Sequence, residues 1–306
     1  MNGQDREILY QLFRDHLHVR GTSQTTRIAL QSFITSLRQL KCPFQDIRGQ
    51  VEALTHTIKN GEPRVAPLIN LIVSCEKEFA ERKIFENSTA EQVVANAARI
   101  VEDHIQRLEE STRRLVHIGV DCIKKGDVVM LHSFSRPILE MFSHAKKRGT
   151  DFDVLILRQA FVKTKQVIKY MESEHFAYTV IPEYNVSHFV DKATKLFLGA
   201  IAITADGKAL CSMGSNGIAS IAHIAGLPVY LFVSSLKFSS EKSTEQHIHE
   251  KTEQLTEGGV VFTQISHSHE IVDLELITHL VTEQGEMDRR EISPRGGIPI
   301  GMFANK

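Results

Sequence analysis

The chain is poor in cysteine. It has four in 306 residues: Cys42, Cys75, Cys122 and Cys211, far apart and with no CxxC pair. That spacing excludes a disulfide scaffold and argues against a zinc site, so the four read as free thiols in a reducing compartment. No apolar run reaches membrane-spanning length. The first residues, MNGQDREILYQLFRDHL, carry charge throughout and have no apolar signal core, so the expected location is the cytoplasm. Charge of one sign is also missing. The formal net charge is −1, which leaves neither a basic surface for nucleic acid nor an acidic tail. No internal repeat and no low-complexity block are present.

What remains is an ordinary globular composition, 42% hydrophobic and 24% charged, enough for a substantial core. The length allows two domains. Fifteen histidines make the near-neutral balance sensitive to mild acid, since they titrate near pH 6.5, roughly, unless shifted.

Residues 1–125 show helical periodicity. Leu9, Leu12 and Phe13 form one stripe; Ile28, Phe33, Ile34 and Leu37 a second; Leu68, Leu71 and Ile72 a third. The longest runs Val93, Val94, Ala97, Ile100, Val101, Ile105, Leu108, Leu115, behind a cap region at Asn87-Ser88-Thr89. Breaks are expected at Cys42-Pro43, Asn60-Gly61 and Lys125-Gly126.

From Gly126 the pattern changes. Short apolar runs (Val128–Leu131, Phe152–Leu157, Tyr178–Ile181, Leu196–Ile203, Pro228–Ser234, Val260–Ile265) alternate with helical stretches near Pro137–Lys147, Val162–Glu174, Val186–Lys192 and Asn216–Ala225. This predicts an α/β fold: a helical domain over 1–125, then a Rossmann-like, doubly wound, mostly parallel sheet over 126–306. Glu241–Glu257 reads as an exposed helix or loop, and Ser293–Pro299 as a loose tail.

Ligands of such sheets bind at the carboxyl ends of the strands. The candidates there are His132-Ser133 through Arg136, Arg158-Gln159, Glu183 and the Gly214-Ser215-Asn216 turn. Arg20-Gly21-Thr22-Ser23 is a further basic, hydroxyl-rich turn. A glycine-led helix start leaves N–H groups for an anion, and arginine suits phosphate. A phosphate or sugar phosphate is therefore the expected ligand. Plainer readings stand beside each candidate. Gly214 and Asn216 could simply cap a helix; Arg20 could be a surface charge; Arg136 could pair with Glu140. Ser133 reads better as a small residue at a strand end than as a nucleophile, because GxSxG is absent. His132 is the best-placed general base or else a hydrogen-bonded structural ring, and Glu183 either enters the pocket or caps a helix. The pairs His247/His249 and His267/His269 lack a third ligand and read as solvated. No metal and no cofactor is expected.

The segment GDVVMLHSFSRPILEM, Gly126–Met141, resembles the first strand and helix of the regulatory subunits of eukaryotic translation initiation factor 2B, the alpha subunit most of all. LFLGAIAITADGKALCSMGSNGIASIAHIAGLPVYLFVSSLKF, Leu196–Phe238, is similar to that family's core signature, and VDLELITHLVTEQG, Val272–Gly285, to its closing helix. The same superfamily holds isomerases of methylthioribose 1-phosphate and ribose 1,5-bisphosphate. The resemblance implies a catalytic Cys after the first-strand His, where Ser133 stands, and a catalytic Asp after Gly-Ala, where Ile201 stands. The family's Asn-Lys is Cys211-Ser212 here, and its Glu after the second strand is Arg158. Gly214, Ser215 and Asn216 persist. Acid–base groups are worth about 10²–10⁴-fold each, and Ile201 cannot exchange a proton.

The resemblance therefore implies a non-catalytic regulatory or scaffold protein. It would be a homodimer through the Rossmann-like half, with other factor 2B subunits and initiation factor 2 as partners and a ligand sensor in the pocket at most. The alternatives are an isomerase with relocated groups, His132 with Asp206 or Glu183, and a stand-alone sugar-phosphate or nucleotide sensor. Neither membrane nor direct nucleic-acid contact is expected.

Overall fold

The structure, a computed structural model, describes residues 21–61, 64–86, 88–159, 161–246 and 248–288. The stripe Leu9, Leu12, Phe13, the candidate Arg20, His247 and the tail at Ser293–Pro299 lie outside the described residues. The chain forms two compact units, Met1–Arg113 and Arg114–Lys306.

The described part of the first unit is helical: α1 (Thr22–Gln39), α2 (Phe44–Lys59), α3 (Ala66–Glu81) and the start of α4 (Ala90–Val120), within which the division falls. The breaks fall where expected. Pro43 precedes α2, Asn60 ends it, and Thr89 caps α4. Thr89 and Gln92 bond reciprocally, Thr89 N to Gln92 Oε1 at 2.8 Å and Gln92 N to Thr89 Oγ1 at 3.3 Å, satisfying donors that a helix start leaves open. The apolar stripes become the core: Leu30, Phe33, Leu37, Leu71, Ile72, Val93, Ala97, Ile100 and Val101 are buried. Polar His104 is buried with them, its Nε2 3.0 Å from Glu78 Oε2.

The second unit is built on a seven-stranded sheet of order β12-β11-β7-β4-β1-β2-β3. Its strands are β1 (Val128–His132), β2 (Asp153–Arg158), β3 (Tyr178–Pro182), β4 (Lys195–Gly199), β7 (Val229–Phe232), β11 (His279–Thr282) and β12 (Gly285–Met287). All pair in parallel except β12, which runs antiparallel at the edge. Helices α5 (Arg136–Lys147), α6 (Phe161–Ser173) and α7 (Ser215–Ile224) follow β1, β2 and a smaller sheet. The expected doubly wound architecture is the one observed. Runs such as VVMLH and DVLILR are apolar at successive positions because the strands are covered on both faces. One face packs Phe142, Phe197 and Phe232 with Ile138 and Val281; the other packs Met130, Leu196, Leu231 and Ile218. The order reverses at β1, which lies between β2 and β4.

Several expectations fail locally. Leu196–Ile203 is not one strand. The chain leaves the main sheet after Gly199, and β5 (Ala202–Ile203) joins β6 (Lys208–Ser212) and β10 (His269–Asp273) in a separate antiparallel sheet. Val186–Lys192 is not an α-helix but lies in two 3-10 turns, Glu183–His188 and Val190–Lys192. Val272–Gly285 is not a closing helix; it is the end of β10, a 3-10 turn and β11. Glu241–Glu257 contains a strand, β8 (Glu250–Glu257), which pairs with β9 (Val260–His267) in a two-stranded sheet. That hairpin takes Val260–Ile265 out of the main sheet. The missed signal is the Gly258-Gly259 pair, the chemistry of a two-residue hairpin turn.

Candidate functional site

The switch in strand order puts the carboxyl end of β1 at the crevice where doubly wound sheets hold ligands. His132, the last residue of β1, is fully buried there. Its ring joins three elements. Nδ1 lies 3.1 Å from Ser215 Oγ at the start of α7. Nε2 lies 2.8 Å from Gln159 Nε2, just after β2, and 3.3 Å from Glu183 Oε2, just after β3.

These contacts fix the proton. Gln159 donates from Nε2 to the Met213 carbonyl at 2.7 Å, so its amide nitrogen faces inward. The second amide hydrogen then goes to His132 Nε2, which must accept. That arrangement places a ring proton on Nδ1, facing Ser215 Oγ. Gln159 Oε1 is buried with no hydrogen-bond partner.

Ser133 follows at φ +69. A non-glycine residue held there costs about 1–3 kcal/mol, and such strain gathers at functional sites. Ser133 is buried, but no hydrogen bond among the described residues joins it to His132, whose nitrogens are taken, so its hydroxyl has no activating base.

The start of α7 was expected to be an anion seat, and the protein's own carboxylates occupy it. Gly214 precedes the helix at φ +89, and a side-chain carbon built there would overlap the Glu183 carboxylate. The Asn216 N–H donates to Glu270 Oε1 at 2.6 Å. Two carboxylates thus lie at the start of α7, Glu270 accepting from the Asn216 N–H and Glu183 against Gly214.

The other candidates are placed elsewhere. Arg136 Nε pairs with Glu140 at 2.9 Å on its own helix, the plainer of its two readings. Arg158 is exposed at the end of β2. Gly21, at φ +75, precedes α1, and its carbonyl accepts from Thr25; Thr22 is buried; both belong to the first unit. Ile201 lies in the bend between β4 and β5, its N–H bonded to Leu210 O at 2.8 Å. Asp206 is committed to the turn beyond: Ser243 N donates to it at 2.8 Å, and Ser243 Oγ at 2.5 Å. Burial would raise its carboxyl, but hydrogen bonds from Ser243 and Thr204 outweigh that and bring it down to about 2. Such a group is a poor proton acceptor near neutrality. His267 and His269 belong to different strands, β9 and β10, and no group of three His, Cys, Asp or Glu among the described residues is placed to hold a metal ion.

Two residues escaped the sequence reading. Glu270 reaches α7 from β10, a pairing 54 positions apart that no local spacing shows. Lys237, in the 3-10 turn after β7, donates Nζ to Ala200 O at 2.8 Å, beside the strand end where Ile201 begins the bend. Burial pushes its ammonium down to about 8, and no carboxylate among the described residues pairs with it. A lysine soon after the apolar run VYLFV, in VYLFVSSLK, was the available signal.

The family model described as "Initiation factor 2 subunit family" matches residues 18–289. A putative translation initiation factor eIF-2B subunit 2-like protein of Pyrococcus abyssi is 26% identical over 239 residues, 76% of this chain and 80% of that protein. A ribose 1,5-bisphosphate isomerase of Haloterrigena turkmenica is 24% identical over 234 residues, 74% of this chain and 68% of that enzyme. Among solved structures, the translation initiation factor eIF-2B of Pyrococcus horikoshii OT3 superposes with a TM-score of 0.74 at 22% identity, covering 94% of this chain and 98% of that one.

Proposed function

The chain belongs to the Initiation factor 2 subunit family, and from that membership we propose that it is a non-catalytic regulatory or scaffold subunit of the factor 2B type. The observation that supports the reading is that Glu183 and Glu270 lie against the start of α7, the end of a helix that would otherwise suit an anion. Ile201 supports it, since an aldose–ketose interconversion moves a proton between neighbouring carbons and needs a positioned acid and base. As such a subunit the protein would work in the cytoplasm as a homodimer, with other factor 2B subunits and initiation factor 2 as its partners.

The test is turnover of ribose 1,5-bisphosphate and of methylthioribose 1-phosphate by purified protein. No conversion is expected. Conversion abolished by His132→Ala would overturn the reading.

The His132–Glu183 pair favours a second reading, a sugar-phosphate isomerase with relocated groups, because a buried imidazole beside a carboxylate can relay a proton. Thermal shift with the same sugar phosphates separates the two. A ligand at 100 times its Kd adds about 2.7 kcal/mol, and a filled seat should show no such gain. A shift would make Ser133, Arg136 and Ser215 the positions to substitute.

A further inference from the structure

The β8–β9 hairpin forms a sheet of its own, and both strands are largely exposed. An isolated two-stranded hairpin is marginal in water. Its outer strands differ sharply. β8 carries Glu250, Lys251, Glu253 and Glu257, the charges that normally keep a strand edge from pairing. β9 reads VVFTQISH, with no Asp, Glu, Lys, Arg or Pro, and Val261 and Ile265 are 66% and 60% exposed.

The turn settles which backbone groups are open. Gly258 and Gly259 both have positive φ, 56° and 83°, and Glu257 faces Val260 across them. In a two-residue turn of this kind the closing pair exchanges both hydrogen bonds, and bonded pairs then alternate with unbonded ones. Val260, Phe262, Gln264 and Ser266 therefore bond inward to β8, while Val261, Thr263 and Ile265 direct N–H and C=O to the open edge.

We propose that this edge pairs with the same edge of a second copy, antiparallel, about a two-fold axis through Thr263. The axis stands normal to the sheet, so residues of like face meet: Thr263 opposes its counterpart and Val261 opposes the partner's Ile265. Every outward N–H and C=O of the three residues finds a partner in that register, and the exposed β-branched side chains cover one another. No charge opposes a like charge. Growth through this edge stops at two copies, because the strands left outermost are the two charged β8 strands, which resist further addition. The interface is at the small end of stable contacts, so the association depends on concentration.

Sedimentation of the full chain over a wide concentration range tests the pairing. Thr263→Pro removes an outward N–H and no backbone bond to β8, at the loss of the 2.8 Å hydrogen bond from Gln254 Nε2 to Thr263 Oγ1; Ile265→Lys leaves that bond in place and puts charge on the edge. At high concentration both are expected at a lower mass than the wild type. Equal mass for wild type and both variants would overturn the proposal. Thr263→Cys tests the register, with the parent protein as control for Cys42 and Cys122, its partly exposed thiols. Facing Cα atoms of a bonded pair lie about 5.5 Å apart, within the disulfide range of about 4.4–6.8 Å. Mild oxidation should link Thr263→Cys to itself. Val261→Cys alone should stay unlinked but join Ile265→Cys when the two are mixed. A link in Val261→Cys alone would overturn the register.

Discussion

Replacing Gly214 by alanine probes the filled anion seat directly. Two costs follow, and they can be separated. The residue has φ +89, so any side chain there incurs the left-handed penalty, about 1–2 kcal/mol. The new methyl also overlaps the Glu183 carboxylate, which ends a flexible side chain and will swing away rather than force the backbone apart. Its departure forfeits an anion at a helix start, worth about 0.3–1 kcal/mol and up to about 2 in partly buried geometry. Gly214→Ala should therefore lose about 2–3 kcal/mol in urea unfolding with an unchanged slope. In a Glu183→Ala background the second cost is already spent, and the same change should cost only about 1–2 kcal/mol. The coupling, about 1 kcal/mol, measures the contact. Additivity of the two substitutions would refute the placement of Glu183 over the helix start. A Gly214→Ala loss below about 0.5 kcal/mol would refute the left-handed conformation as well.

Other outcomes follow from single groups. Lys237 is depressed from 10.5 to about 8, so the unfolded chain binds the extra proton between those values and stability should rise with pH across that window; Lys237→Met should flatten the rise, read by urea midpoints from pH 7 to pH 11. Burial lowers His104 from 6.5, so the unfolded chain takes up its proton first as pH falls. Stability should decline below about pH 6.5, and His104→Phe should reduce the decline in acid unfolding curves. Ser133→Gly relieves a strained φ of 69 and, net of glycine's entropy cost of about 0.5–1 kcal/mol, should be neutral or up to about 2 kcal/mol stabilising, whereas Ser133→Val should destabilise; calorimetry compares the two.

The apolar runs of the second unit carried most of the fold. A strand covered on both faces has to be apolar at successive positions, so VVMLH and DVLILR announced themselves, as did the three-and-four stripe of α4. The failures share one cause, contacts distant in sequence. LFLGAIAI is apolar throughout, and nothing local marks the step from one sheet to another at Ala200; the Ile201–Leu210 bond makes it. Val272–Gly285 carries apolar spacing a helix could use, but β11 is claimed by β7. At the site, His132, Glu183 and Ser215 were legible as strand-end and turn residues. Their joining was not, because it depends on Gln159 and Met213 meeting across 54 positions. The expectation of an anion at Gly214 to Asn216 rested on local residues, whereas Glu270, which takes the Asn216 N–H, comes from the small sheet and left no local signal.

Lys237 carries a chemical liability. With an amine near 8, roughly a fifth of the molecules hold it as a free base at pH 7.4, against about a thousandth for an ordinary lysine. Only that uncharged form attacks carbonyl carbon, so a reagent as small as cyanate that reaches this buried side chain meets an amine already partly deprotonated. Acylation there would abolish the one ammonium that stands beside Ala200 and leave a neutral amide in its place.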